Sequence, residues 1–426
     1  MMLKIVVLAV LAYTAYSKPG VRNKDLEFTT EELFRYFSVK SHEKAPEYEI
    51  VYPQVVEAEG KRSVGKGATA ASFLELEVEA FGETLNFIVD HDDSNYAPGL
   101  KVEIYTDEGI QKVPLRTDCV YTGKVAGEKD SLASVTVCYG LMAVIFRNHG
   151  RGELYIEPLD DEHAVKRDVG RGHPHVAYRN RPVERGAFCE TATPPTLPLT
   201  FADEPPEALP IDTKATKYLE LAFISDQLAF VRKGASISAV TACVNALFNA
   251  VKNVLQLSSL RGTGLVPRLT YVKVFGAFEN GLNMYSDGDT FLAKCASWQD
   301  DNKKPSSSSE HWDNAAFLTG VDISSSRSGD GLLGIAYVGE CGRYGTSLSE
   351  FIGLDATSTT AHEIGHNLGM YHDSEGPDGG PNNRCASTGY LMAKNKGDHR
   401  LDLGWSSCSR SYYNTRITQT TCYNDA

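Results

Sequence analysis

The sequence predicts an α/β fold in its carboxy-terminal half, preceded by a β-rich region of similar length. Three observations carry this. From about residue 218, strand-like and helix-like patterns alternate along the chain. From about 18 to 185, short apolar stretches follow the period of two that marks strands. Between them, six prolines fall within Thr191–Pro210. Alternation of strands with helices argues a mixed, mostly parallel sheet covered by helices. The proline-rich stretch reads as an extended linker. At 426 residues and 42% hydrophobic the chain is long enough for two domains with their own cores. A formal charge of −13 argues against nucleic acid or an anionic membrane as the main partner.

Taken in order, Met1–Lys4 is followed by an apolar run from Ile5 to Tyr16, with small residues at Ala15 and Ser17. Residues 1–17 read as a secretory signal peptide, too short for a membrane span. The mature protein is therefore expected to be secreted, soluble and without a membrane anchor. Leu74–Val78, Thr84–Val89 and Leu132–Phe146 read as strands. His173 and His175 flank Pro174 and read as solvated loop histidines. The linker is placed at 191–216 and the second domain at 217–426. That domain opens with a strand over Tyr218–Ser225. A helix follows over Ile237–Leu257, with Val240, Val244, Leu247, Val251 and Val254 at helical spacing. Val266–Phe275 is a strand, Asp289–Trp298 a helix and Leu332–Val338 a strand. Lys303–Ser309 is a polar loop, and a last helix starts near Ser358 or Thr359. Nine cysteines behind a signal peptide imply disulfides, with a connectivity that spacing leaves open.

That last helix carries the chemistry, in His362-Glu363-Ile364-Gly365-His366-Asn367-Leu368-Gly369-Met370-Tyr371-His372-Asp373. His362 and His366, four apart, project from one helix face. Gly369 can take the positive φ that ends the helix and turns the chain, which brings His372 round as a third ligand. Three neutral histidines leave a zinc ion one open position for water, the arrangement of a catalytic rather than a structural zinc. Water held there has its pKa lowered to about 7, and Glu363, one residue round the helix, is placed as the base that takes its proton.

This stretch resembles the zinc signature of the metzincin metalloproteases, and Asp373 after the third histidine resembles their reprolysin branch (snake-venom, ADAM and ADAMTS proteases). Tyr390-Leu391-Met392-Ala393 resembles the family's methionine turn, with Met392 beneath the metal. The run from Cys119 through Cys138 to Tyr155–Leu159, and His175–Arg179, resemble the family's propeptide, giving a propeptide domain at 18–190. The resemblance implies a metzincin catalytic domain with a zinc cleft, made as a zymogen. It implies the pairings Cys341–Cys422 and Cys385–Cys408, which leaves Cys243–Cys295. If Cys119 pairs with Cys138, Cys189 is left odd and becomes a candidate zinc ligand of the latent form. The sequence has Glu190 after Cys189 where the family has glycine. It also lacks a basic Arg-x-Lys/Arg-Arg site before Tyr218, so cutting within the linker, at Lys214 or at Lys217 stays open. Glu220, Asp313, the Cys422 carbonyl and Asp425 stand where the family holds a structural calcium. Gly334–Val338 resembles the edge strand on which metzincins lay an extended substrate, with Ala393–Asn395 lining the specificity pocket.

The expected protein is thus a zinc metalloendopeptidase acting on extracellular or host protein substrates, and a monomer. Its expected end at the catalytic domain, without disintegrin, thrombospondin-type or membrane segments, resembles venom or salivary enzymes. The alternative is a binding protein or toxin that keeps the fold and has lost activity; intact His362, His366, His372 and Glu363 argue against it.

Overall fold

Strict alternation of apolar and acidic residues makes Phe73–Ala80 a strand with Leu74, Leu76, Val78 and Ala80 turned to a core. The same logic runs through the amino-terminal region of the computed structural model. The structure describes residues 27–59, 71–147, 152–167, 172–179, 188–192, 216–260 and 264–277. From 282 to 424 it describes all but 283, 326–328, 340, 352, 374–382, 384, 396–403 and 421. The expected signal peptide, linker residues 193–215 with Lys214, and Asp425 lie outside the described residues.

The amino-terminal region contains α1 (Thr30–Phe37), β1 (Tyr48–Val51), β2 (Gln54–Glu59), β3 (Phe73–Ala80), β4 (Glu83–His91), β5 (Lys101–Thr106) and β6 (Gly109–Pro114). There follow β7 (Val120–Val125), β8 (Leu132–Thr136), β9 (Met142–Arg147), β10 (Gly152–Pro158), α2 (Asp161–Val165), β11 (His175–Arg179) and β12 (Phe188–Ala192). Nine of these strands form one antiparallel sheet in the order β1-β11-β10-β9-β8-β7-β4-β3-β2. Helix α1 went unread in the sequence, although Thr29 and Glu32 form a capping box at its start.

The carboxy-terminal half contains β13 (Lys217–Ser225), α3 (Gln227–Arg232), α4 (Ile237–Leu255), β14 (Leu265–Phe275), α5 (Gly288–Asn302), β15 (Asn314–Thr319) and the short ribbon β16 (Ser324–Ser325) with β17 (Gly329–Asp330). It ends with β18 (Leu332–Tyr337), β19 (Thr346–Glu350), α6 (Ala356–Asn367) and α7 (Ser407–Gln419). Its sheet runs β12-β18-β19-β15-β13-β14-β5-β6. Strands β14, β13, β15 and β19 are parallel to one another, and β18 is antiparallel to β19. This is the mixed α/β sheet the sequence predicts, flanked by helices and preceded by a β-rich region.

Both edges of that sheet are supplied by the amino-terminal region. The β5–β6 hairpin adds to β14, and β12 adds in parallel to β18. The linker placed from 191 therefore needs correction. Thr191 and Ala192 pair with Ala336 and Tyr337, because the proline run that forbids pairing begins only at Pro194.

Helix α4 lies between the two sheets, against β8 on one side and β14 and α6 on the other. It is long and apolar enough to cross a membrane, but 83% of its apolar window is buried in the protein. Asn245, Asn249 and Asn253, four apart, face the amino-terminal sheet. Asn249 Nδ2 donates to the carbonyls of Tyr121 (3.0 Å) and Val135 (3.2 Å). Asn253 Nδ2 donates to Thr122 and Ser134 hydroxyls, and Lys252 Nζ donates to Asp92 Oδ2 at 2.8 Å.

Three disulfides form: Cys119–Cys138, Cys341–Cys422 and Cys385–Cys408. The expected Cys243–Cys295 bridge does not. Both are buried thiols, Cys243 on α4 in the core between the two sheets and Cys295 on α5 in a separate core. The mixed sheet stands between them. Of the two histidines around Pro174, His173 is exposed as expected and His175 is not. His175 is 5% exposed, with Nδ1 facing the His173 carbonyl at 2.8 Å and Nε2 accepting the Leu141 N–H at 3.2 Å.

Candidate active site

Helix α6 begins at Ala356, two or three residues before the start read from the sequence, after a turn in which the Leu354 carbonyl accepts the Thr357 N–H. Its twelve residues are all buried. Asn367 fixes its end to the sheet, donating through Nδ2 to the Tyr337 carbonyl at 2.8 Å and the Thr346 carbonyl at 3.0 Å. Gly369 then takes φ +91°, with the Arg416 side chain where a Cβ would stand. The turn returns His372 to the helix face.

The three imidazoles converge. His372 Nε2 is 3.2 Å from both His362 Nε2 and His366 Nε2. On the far side of the rings, His362 Nδ1 lies 2.7 Å from the Leu391 carbonyl and His366 Nδ1 2.7 Å from the Met370 carbonyl. A carbonyl can only accept, so both Nδ1 atoms carry the proton and both Nε2 atoms present lone pairs. One proton on His372 Nε2 serves one of them and leaves the other facing nitrogen. A cation at the centre satisfies all three. Nitrogens about 2.1 Å from a tetrahedral zinc sit roughly 3.4 Å apart, so the donor set fits that ion. Burial pushes His362 down to about 4, so it remains a neutral ligand in the physiological range.

Met392 is fully buried under this helix, and a Cβ on Gly365 would lie 2.9 Å from its sulfur. The Met392 carbonyl accepts the Asp373 N–H, and Asp373 Oδ1 accepts the Ser406 hydroxyl at 2.6 Å. Burial pushes Asp373 up to about 6.

Glu363 is fully buried, with neither carboxylate oxygen making a full hydrogen bond. Burial raises it well above the usual carboxylate range, while the Cys189 thiol beside it favours the charged form. Cys189 Sγ, a His362 nitrogen and a Glu363 oxygen lie within 4.8 Å of one another. Cys189 is placed there by β12, which lies between β18 and the segment after Met392. Cys189 pairs opposite Gly334, and its N–H donates to the Lys394 carbonyl at 3.0 Å. Glu190 is seated by Ser325, whose hydroxyl donates to its Oε2 at 2.8 Å.

Gly334, read from the sequence only as the start of the expected substrate strand, has a second role beside Glu363. A Cβ there would stand 2.5 Å from Glu363 Oε1, so the base has room only because β18 has no side chain at that point. A glycine inside a strand is the signal that could have found it.

The calcium candidates come together only in part. Asp313 Oδ2 accepts the Glu220 N–H at 3.0 Å, and Asp313 N–H donates to the Glu220 carbonyl. Cys422 opens a 3-10 turn, Cys422–Asn424, packed on β13. Among the described residues Glu220 and Asp313 belong to no group of three side-chain ligands, unlike the three histidines.

Residues 217–425 match the profile of the reprolysin (M12B) family zinc metalloproteases. Among curated relatives, a disintegrin and metalloproteinase with thrombospondin motifs 10 of Homo sapiens is 28% identical over 418 residues, covering 86% of this chain and 36% of that protein. The motifs 4 protein of Pongo abelii is 26% identical, covering 86% of this chain and 42% of its own length. A zinc metalloproteinase-disintegrin-like protein of Cerberus rynchops is 24% identical over 77% of this chain and 52% of its own. The chain thus spans between about a third and a half of the length of these relatives.

Proposed function

Because residues 217–425 belong to the reprolysin family of zinc metalloproteases, we propose that this chain is a secreted zinc endopeptidase made in latent form, with protein substrates outside the cell. The convergence of three Nε2 atoms beside the buried Glu363 carboxylate carries the catalytic part of this reading. Zinc, when bound, supplies a Lewis acid that polarises the scissile carbonyl and acidifies water. The protein does the rest. The Leu391 and Met370 carbonyls hold two imidazoles in the ligating tautomer. Glu363 takes the proton of the attacking water and passes it to the leaving amine, and burial makes it the stronger base for that task. Once β12 leaves it, the edge of β18 that β12 now covers would accept an extended peptide as an added strand.

Latency is supported by β12, which lies along that same edge and brings Cys189 to His362 and Glu363. A thiolate on the zinc would take the position that catalysis needs open. The calcium expected at Glu220, Asp313, Cys422 and Asp425 is part of the same proposal, and a melting temperature unmoved by added calcium would remove it. The latent reading is tested with the full chain carrying a specific cleavage site in the linker. Uncut protein should leave casein intact, and a cut followed by loss of the propeptide should switch activity on. Equal activity of cut and uncut wild type would overturn it.

A further inference from the structure

A second contact ties the propeptide to the chain at the start of α6. Glu157, near the end of β10, is 5% exposed. Its carboxylate collects the Tyr178 hydroxyl at 2.5 Å, Lys233 Nζ at 3.1 Å and the Leu354 N–H at 3.1 Å. Tyr178 belongs to the propeptide; the other two donors belong to the catalytic domain. Lys233, the C-cap of α3, is itself buried and has its ammonium 5.6 Å from the Phe351 ring. Leu354 stands two residues before α6, the helix that carries His362 and Glu363. Gly353 beside it leaves the necessary gap, because a Cβ there would lie 2.7 Å from Glu157 Oε1 and 2.9 Å from the Tyr178 hydroxyl. The Cys243 sulfur is 4.0 Å from Glu157 Oε2, and burial raises that thiol to about 11, so it stays neutral. A buried cation, a backbone donor and a missing Cβ on the catalytic side thus converge on one carboxylate.

We propose that Lys233, the Leu354 N–H and the Gly353 gap form a carboxylate seat in the catalytic domain, and that Glu157 in this seat is a second latch on the propeptide, independent of Cys189. The proposal rests on the latent-enzyme reading. Removing one member of a buried ion pair leaves the other charge uncompensated, which is far more damaging than removing both. The latch therefore has a signature that a merely structural residue lacks, namely recovery when its partner is neutralised as well. It also implies that cutting the linker does not free the propeptide at once, so activation lags behind cleavage.

The test uses the full chain with a specific cleavage site in the linker. Wild type, Glu157→Gln, Lys233→Met, the double variant and Cys189→Ser are cut. Loss of the propeptide fragment from an immobilised catalytic fragment is then followed in time, with activity read in parallel. Glu157→Gln keeps the shape and one acceptor oxygen, loses the charge and replaces the other oxygen by an amide donor, and its uncut melting curve checks that it folds. The latch predicts release at least tenfold faster in Glu157→Gln, about 1.4 kcal/mol, and a return toward wild type in the double variant. It also predicts propeptide still bound after cutting in Cys189→Ser. Release from Glu157→Gln at the wild-type rate, or a double variant no slower than Glu157→Gln, would overturn the latch while leaving latency intact. Activity of the uncut wild-type chain would overturn the latent reading, and the latch with it.

Discussion

Gly334 and Glu363 form a pair in which one residue's absence of side chain defines the other's position. Gly334→Ala would push the carboxylate off its place without touching a zinc ligand. A displacement of about 1 Å at a reacting group costs on the order of 100-fold in rate. That loss should appear in kcat on casein-derived peptides with zinc content unchanged by metal analysis. His175 makes a pH prediction of its own. Its imidazole sits at about 4 in the fold against 6.5 in a free chain because it is buried. As pH falls below 6.5 the unfolded chain takes up a proton that the folded one refuses until about 4. Stability therefore falls across that window, by at most about 3 kcal/mol. Denaturant titrations between pH 7 and 4 should show this slope, flattened in His175→Gln, which keeps an acceptor for the Leu141 N–H. At this scale the convergence of three histidines that could bind a metal was legible, since His362 and His366 are fixed relative to each other by one helix and Gly369 announces the return of His372. Gly334 was not, because its role depends on a helix packed across it, 29 residues away in sequence.

Among the elements, α6 is held to the sheet by the two hydrogen bonds of Asn367, a residue to which the sequence assigned no role. Asn367→Ala leaves two buried carbonyls without this donor and should cost about 2–3 kcal/mol, seen as a lower denaturation midpoint at unchanged m-value. The cysteines teach the complementary lesson. Spacing and resemblance both allow Cys243–Cys295, but α4 and α5 pack in separate cores across the mixed sheet, and sequence carries little information about which face a crossover helix takes relative to another. The thiol count follows. The unreduced chain should titrate three thiols after denaturation, from Cys189, Cys243 and Cys295, and almost none rapidly when native; a count of one would restore the bridge. The strands were read well where burial alternates, as in β3, and helix α4 by its spacing, while α1 was missed under a β-rich average.

For the whole molecule, the amino-terminal region is more than a neighbour of the catalytic domain. It pairs with both edges of the mixed sheet, through β5–β6 and β12, and meets the polar face of α4 with a ladder of asparagine bonds. The order of a β-rich region followed by an α/β half was legible from composition and periodicity. The shared sheet was not, because partner choice between distant strands is set by packing that no local pattern records. The central claim remains that the three histidines and Glu363 form a working zinc peptidase. It is tested most directly by casein cleavage with linker-cut wild type beside Glu363→Ala, each with and without a zinc chelator. The account predicts cleavage by wild type alone, abolished by the chelator, with Glu363→Ala folded, zinc-loaded and slower by about 100- to 10,000-fold. Folded, zinc-loaded, propeptide-free wild type that cuts nothing, or a Glu363→Ala variant as fast as wild type, would contradict it.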